Sequence, residues 1–179
     1  MGKIVVVYKS KYGSTKKYAE WIAKEVKADL FEFSEIKSER LFEYDTIIFG
    51  GGLYASGING IGLVTKNFQA LKCKNLIVFT VGLAATDDKD IFKPIIEKNF
   101  TEEMLKKVKI FHLRGGIDYS ELNFLHKSMM SMLERKVANK NPEELSIDDK
   151  MMLETYGKKV DFTNIETIKP LVSYVKGIN

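Results

Sequence analysis

One cysteine, Cys73, stands in 179 residues, so the chain can form no internal disulfide and no thiolate metal site. Cys73 is also far from the polar loop near the N-terminus, which excludes a cysteine phosphatase. There are two histidines, His112 and His126, fourteen residues apart; that spacing suggests no shared ligand set, and no metal is expected. No apolar run approaches the ~20 residues of a membrane span, and no charged-then-apolar leader with a small-residue cleavage site opens the chain. The expected location is therefore cytoplasmic, with peripheral contact to the inner face of a membrane left open. Gly-x-x-x-x-Gly-Lys-Ser/Thr and Gly-x-Gly-x-x-Gly are both absent, which argues against a triphosphate P-loop and a dinucleotide fingerprint. No acidic pair follows the first apolar run, so a phospho-acceptor receiver is disfavoured. Basic residues are not interleaved with aromatics, and no nucleic-acid partner is expected.

What is present is enough apolar residue, 45%, for the core of one domain spanning 1–179. The formal charge is +4, and the first 27 residues carry seven lysines against Glu20 and Glu25. That is either a solvated helix face or a preference for an anionic partner.

The chain opens with the strand-like run Ile4-Val5-Val6-Val7-Tyr8. The polar loop Lys9-Ser10-Lys11-Tyr12-Gly13-Ser14-Thr15 follows, then a helical pattern over 14–27. Such a loop sits at a strand's C-terminal end and a helix N-terminus, where free N–H groups and hydroxyls can wrap a phosphate. Ser10, Ser14 and Thr15 supply the hydroxyls, and Gly13 permits close approach. The alternative is an N-cap (Ser14) and a turn glycine (Gly13).

Further strands are expected at 30–33, at 45–49 with Gly50-Gly51-Gly52 ending it, at 75–80 and at 108–113. Helical segments are expected at 38–42, 59–71, 89–99 and 165–175. Five strands alternating with helices imply an α/β fold with a parallel sheet. Ligands of such sheets bind beyond the strands' carboxyl ends, so the loops after the first, third and fourth strands are the site candidates. The segment 118–160 breaks the alternation and reads as a helical insertion. It includes a helix over 120–137 with Leu122, Leu125, Met129, Met132 and Leu133 on one face, then a helical stretch with Pro142 in its first turn. That Met/Leu face either packs on the domain or, with Lys127, Arg135, Lys136 and Lys140 beside it, meets a flat apolar substrate or a membrane surface.

Ser10-Lys11-Tyr12-Gly13-Ser14-Thr15 resembles the flavodoxin phosphate loop, Thr/Ser-x-Thr-Gly-x-Thr, which holds the FMN phosphate; at Tyr12 only the backbone N–H carries over. The resemblance implies a flavodoxin-like three-layer sandwich with five parallel strands in the order 2-1-3-4-5 and FMN as cofactor. It implies cofactor contacts from Ser10, Lys11, Tyr12, Gly13, Ser14 and Thr15. A second loop would contribute Gly51, Gly52, Leu53, Tyr54, Ala55, Ser56 and Gly57, and a third Val81, Gly82, Leu83 and Ala84. In flavodoxins the second loop covers the isoalloxazine, and a glycine-containing peptide there turns over to bond flavin N5. No side chain need act as a nucleophile, because the flavin carries the redox chemistry.

Leu113-Arg114-Gly115-Gly116-Ile117-Asp118-Tyr119 and Leu122-Asn123-Phe124-Leu125-His126-Lys127-Ser128-Met129-Met130 are similar to the flavodoxin-domain group that includes bacterial quinone-dependent protoporphyrinogen dehydrogenase. Those enzymes carry Ile-Arg-Tyr where this chain reads Leu53-Tyr54-Ala55. The resemblance implies an FMN-dependent oxidoreductase that takes electrons from a reduced organic substrate, best protoporphyrinogen IX in haem synthesis, and gives them to a quinone. The alternatives are an electron carrier between redox proteins and a binding domain that has lost catalysis. An enzyme of this type needs an apolar cavity beside the flavin and under the insertion, whereas a carrier needs a charged docking rim.

Overall fold

Four consecutive apolar residues at 4–7 can all be buried only if both faces of their strand are covered. The structure, a computed structural model, describes residues 2–54, 57–86, 89–145 and 147–178 and meets that requirement. In chain order β1 (Ile4–Lys9) leads to α1 (Ser14–Val26) and β2 (Asp29–Glu32). After 3-10 turns at Phe33–Glu35 and Ser38–Glu43 come β3 (Thr46–Tyr54), β4 (Gly57–Ile58), α2 (Gly62–Thr65) and α3 (Phe68–Leu71). β5 (Asn75–Gly82), α4 (Lys89–Asn99), α5 (Glu102–Leu105) and β6 (Val108–Arg114) follow. The last part holds β7 (Gly116–Asp118), α6 (Phe124–Ala138), α7 (Ile147–Thr155), β8 (Lys159–Asp161) and α8 (Lys169–Ile178).

The main sheet runs β2-β1-β3-β5-β6, all parallel, with β4 returning antiparallel along the end of β3. The five expected strands thus keep the expected order, and the short β4 makes a sixth. Alternate residues of β1 feed two cores. Ile4, Val6 and Tyr8 face α1 and α8 with Tyr18, Ile22, Leu171 and Val175. Val5 and Val7 face the other layer with Leu41, Phe49, Phe68 and Leu71.

Three local expectations are corrected. Gly50, Gly51 and Gly52 do not end the third strand; they lie within β3, all three paired with β5, and Gly50 and Gly51 also with β1 on the other side. Side chains are missing there because neighbours occupy the space. A Cβ on Gly50 would lie 2.1 Å from the Phe79 ring, and one on Gly51 2.7 Å from the Asn59 carbonyl oxygen. The helix expected over 59–71 is two short helices. The Asn67 side chain donates to the Leu63 carbonyl at 2.9 Å, offering that oxygen a partner outside the helical ladder. The third-loop residues Val81 and Gly82 belong to β5.

Residues 118–160 are not wholly helical. β7 and β8 pair antiparallel, with Gly116 opposite Asp161 and Asp118 opposite Lys159, so the two ends of the segment are held side by side. The Asp118 carboxylate and Lys159 ammonium lie 3.1 Å apart across the last rung. α6 starts at Phe124, later than expected, because Asp118 first accepts the Ser120 N–H in a turn at 2.9 Å and Asn123 then caps the helix by accepting from His126 N–H at 2.8 Å. Its Met/Leu face does not pack on the domain as a unit. Leu122, before the helix, is buried, but Leu125 is 64%, Met132 70% and Leu133 45% exposed, and burial returns only at Val137, one turn beyond Leu133.

Candidate functional site

β1 delivers the chain to the loop at Lys9, and α1 begins at Ser14. Between them Gly13 takes φ +93°, a conformation side chains resist. Its N–H donates to Ser10 Oγ at 3.1 Å. The first amide bonded within α1 is Lys17 N–H, to the Gly13 carbonyl at 3.0 Å. The N–H groups of Ser14, Thr15 and Lys16 precede it and have no acceptor inside the helix, so this end favours an anion. Thr15 is 4% exposed, and its hydroxyl has no hydrogen-bond partner among the described residues.

Ser14 has a different role from the cap first considered. Its hydroxyl makes no capping bond, and Gly13 holds the N-cap position. Instead Ser14 Oγ accepts from Gly116 N–H at 3.0 Å, tying the loop to the chain beyond β6. Gly115 N–H in turn donates to the Gly82 carbonyl at 2.7 Å, and Gly115 O accepts from Phe162 N–H at 3.2 Å. Arg114 lies 3.8 Å over the Phe162 ring and donates from Nε to the Leu83 carbonyl at 2.9 Å. The Tyr18 hydroxyl donates to the Arg114 carbonyl at 2.8 Å and accepts from Asn164 N–H at 3.1 Å. The third loop is thereby fixed against the first.

A cavity of about 160 Å³ opens where these loops meet. Ser10, Tyr12, Ser14 and Thr15 line it from the first loop; Gly52, Leu53 and Tyr54 from the second; Val81, Gly82 and Leu83 from the third. The far wall is Gly115, Gly116, Ile117, Leu122, His126, Met129 and Met130. Lys11, Gly13, Gly51, Gly57 and Ala84 are not on its lining. Gly51 is covered by the Ile58 side chain. Gly57 pairs back with Tyr54 in β4. Gly13 faces an adjoining hollow of about 280 Å³ beside Lys17, Asp118, Lys159 and Asp161. Lys17 pairs with Asp161 there at 3.1 Å, so the charges around that hollow are largely matched. Ala55 and Ser56 lie outside the described residues.

The cavity's aromatic side is a contact of three rings. Tyr12 and His126 are joined at 2.7 Å between hydroxyl and Nδ1, and His126 stacks on Tyr54 at 5.2 Å. Burial, and secondarily Tyr12, pushes the Tyr54 phenol up to about 12, so it stays protonated. Burial, with a smaller contribution from Lys11, lowers His126 below the ordinary histidine value. The other histidine takes no part: His112 stacks on Phe92 at 3.8 Å and shares a 2.6 Å hydrogen bond with Thr80. Burial holds it down to about 4. No group of three or more potential metal ligands occurs among the described residues. Among them too, no helix is long and apolar enough to cross a membrane.

None of the far wall is among the cofactor contacts that the resemblance implies, although Leu122 and Met129 lie on the Met/Leu face for which a flat apolar substrate is one of the two expected partners. The segment that carries the protoporphyrinogen-dehydrogenase resemblance, 113–130, contains all of it, and that was the available signal.

The chemistry of the lining fits a flavin mononucleotide: a helix N-terminus and an unpartnered Thr15 hydroxyl for a phosphate, and an aromatic and aliphatic remainder for a flat ring system. A family model described as "Flavodoxin domain" matches residues 5–144. None of the curated proteins compared with the chain matches it. Among solved structures, a flavodoxin, WrbA-like protein from Agrobacterium tumefaciens is 22% identical, over 59% of this chain and 71% of its own, with TM-score 0.41. Oxidised flavodoxin 2 from Bacillus cereus is 20% identical, over 63% and 84%, with TM-score 0.42. A flavoprotein in complex with FMN from Lactobacillus acidophilus is 16% identical, over 64% and 93%, with TM-score 0.38.

Proposed function

The chain belongs to the flavodoxin domain family, and from that premise we propose that it is an FMN-dependent oxidoreductase with an organic substrate of its own, protoporphyrinogen IX being the best candidate and a quinone the acceptor. FMN is its cofactor, and when bound it supplies the acceptance and release of electrons. The observation that carries the enzyme reading over the carrier is the composition of the cavity wall. Beside the cofactor loops, Leu122, Met129 and Met130 of the inserted segment, with Ile117 just before it, add an apolar surface. A carrier that passes electrons through an exposed edge has no use for that wall, whereas a flat apolar substrate does.

The roles of the residues follow from their places. Thr15 Oγ1 and the first N–H groups of α1 would hold the phosphate of the bound cofactor. Leu53, Leu83, Leu122 and Met129 exclude water and face the substrate. Arg114 and Gly115 keep the third loop seated through the Leu83 and Gly82 carbonyls. The outward side of α6, Leu125, Met132 and Leu133 with Lys136 beside them, suits peripheral contact with an anionic bilayer, where a quinone is dissolved.

The test is anaerobic turnover of protein loaded with FMN. Porphyrin fluorescence should rise from protoporphyrinogen IX only when a menaquinone analogue is present, above a no-enzyme control. A bound, reducible flavin without porphyrin formation would reject this substrate and favour the carrier.

A further inference from the structure

One face of the Tyr54 ring is already taken by a neighbouring ring. Its ring folds back over Gly52, where a Cβ would lie 2.9 Å from it, and the imidazole of His126 stacks on it with the planes 23° apart. Tyr12 locks the imidazole in place through the 2.7 Å bond to Nδ1 and meets the other two rings edge-on, at 5.6 Å from His126 and 6.4 Å from Tyr54. These three rings come from three separate segments: the phosphate loop, the end of β3 and the first turn of the inserted helix. All three line the cavity.

The geometry points to a gate: we propose that His126 must leave Tyr54 before a flat aromatic ligand can stack there, so that the inserted helix responds to occupancy of the cavity. His126 is well placed to move. It lies in the first turn of α6, whose neighbouring side chains Phe124 and Leu125 are 89% and 64% exposed. Little packing therefore resists a swing of that turn, and its main ties are the Asn123 cap and the two tyrosines. The exchange replaces one ring on Tyr54 with another, so the ligand's gain from stacking is reduced by what the imidazole gives up. Carried through α6, the displacement reaches Met129 and Met130 on the apolar wall, and binding of one flat molecule alters the wall that faces a second. This inference rests on the FMN reading.

The experiment is an FMN titration followed by NMR of the histidine ring protons. The chain has only His112 and His126, so a single substitution assigns both signals. FMN is expected to shift the His126 signals as the tyrosine ring currents are lost and to leave those of His112 in place. His126→Ala should bind FMN faster and about two- to tenfold more tightly, the range set by losing one stacked ring pair. Tyr12→Phe, which keeps the ring and loses the bond, should shift affinity the same way by less. Saturation with FMN that leaves the His126 signals unmoved, or a His126→Ala variant that binds equally or more weakly, overturns the gate and leaves the cofactor reading standing. Binding by His126→Ala but not by the unaltered protein upholds the gate in its strongest form. Failure of both to bind overturns the cofactor reading and the gate with it.

Discussion

Ser14 and Gly116 are 102 residues apart in sequence and 3.0 Å apart at Oγ and N. Through that bond the first loop of the site holds the segment that forms its far wall. Ser14→Ala leaves the Gly116 N–H without its acceptor in a part-buried place. We expect a loss of about 1–2 kcal/mol in folding stability, measured by urea denaturation. A loss within about 0.3 kcal/mol would mean that water replaces the hydroxyl at no cost.

Thr15→Ala should act on the ligand instead. The Thr15 hydroxyl has no partner among the described residues, so removing it leaves the fold of the protein without FMN nearly unchanged. The FMN dissociation constant should rise by roughly 5- to 150-fold, the equivalent of about 1–3 kcal/mol. Flavin fluorescence titration measures it, and an unchanged constant would show that the phosphate lies elsewhere.

His112 gives the protein an acid-sensitive step. Burial lowers its folded-state value to about 4, against 6.5 in the unfolded chain. Between those values the unfolded chain binds more protons, so stability rises with pH across that window and levels off above about 6.5. The ring is partly solvated, so the loss from pH 6.5 to 4 should be on the order of 1–2 kcal/mol after screening is allowed for. Denaturation midpoints across this range should be flatter in His112→Gln, which keeps a side-chain partner for Thr80. A slope equal to that of the unaltered protein would assign the effect to other groups.

The β7–β8 ladder makes a clean excision feasible. Asp118 and Lys159 face each other on its last rung, so 119–158 can be replaced by an Asn-Gly turn that closes the hairpin. The shortened protein should fold and bind FMN at least as tightly as the parent, since His126 leaves with the excised segment. It should lose quinone-coupled turnover of porphyrinogen, since Leu122, Met129 and Met130 go with the excised segment. Retained turnover would sink the assignment of substrate contact to that wall.

Much of this was legible from residue order alone. The run 4–7 could only be a strand buried on both faces, and Gly13 followed by hydroxyl residues marked a loop that α1 would complete. The rest depended on side-chain contacts that composition and periodicity do not carry. Gly50–Gly52 reads as a turn because glycine composition does not reveal that Phe79 and Asn59 fill the missing side-chain space. The break at Asn67 turns on one side-chain bond to Leu63. The apolar face of α6 has the period of a packed helix, and periodicity cannot say whether a partner lies opposite it. His126 reaches Tyr12 across 114 residues, which no local pattern anticipates.

Tyr18 carries a consequence for how the protein is made. Its one oxygen donates to the Arg114 carbonyl and accepts from Asn164 N–H, with Thr167 Oγ1 a further 3.4 Å contact. The strand end that seats the third loop and the segment leading into α8 are therefore fastened at a single atom. On a ribosome, residues 1–114, which contain all five parallel strands, emerge while this fastening is still open. The bond from Asn164 closes only when that stretch leaves the exit tunnel, so the pocket mouth is among the last parts of the protein to be set.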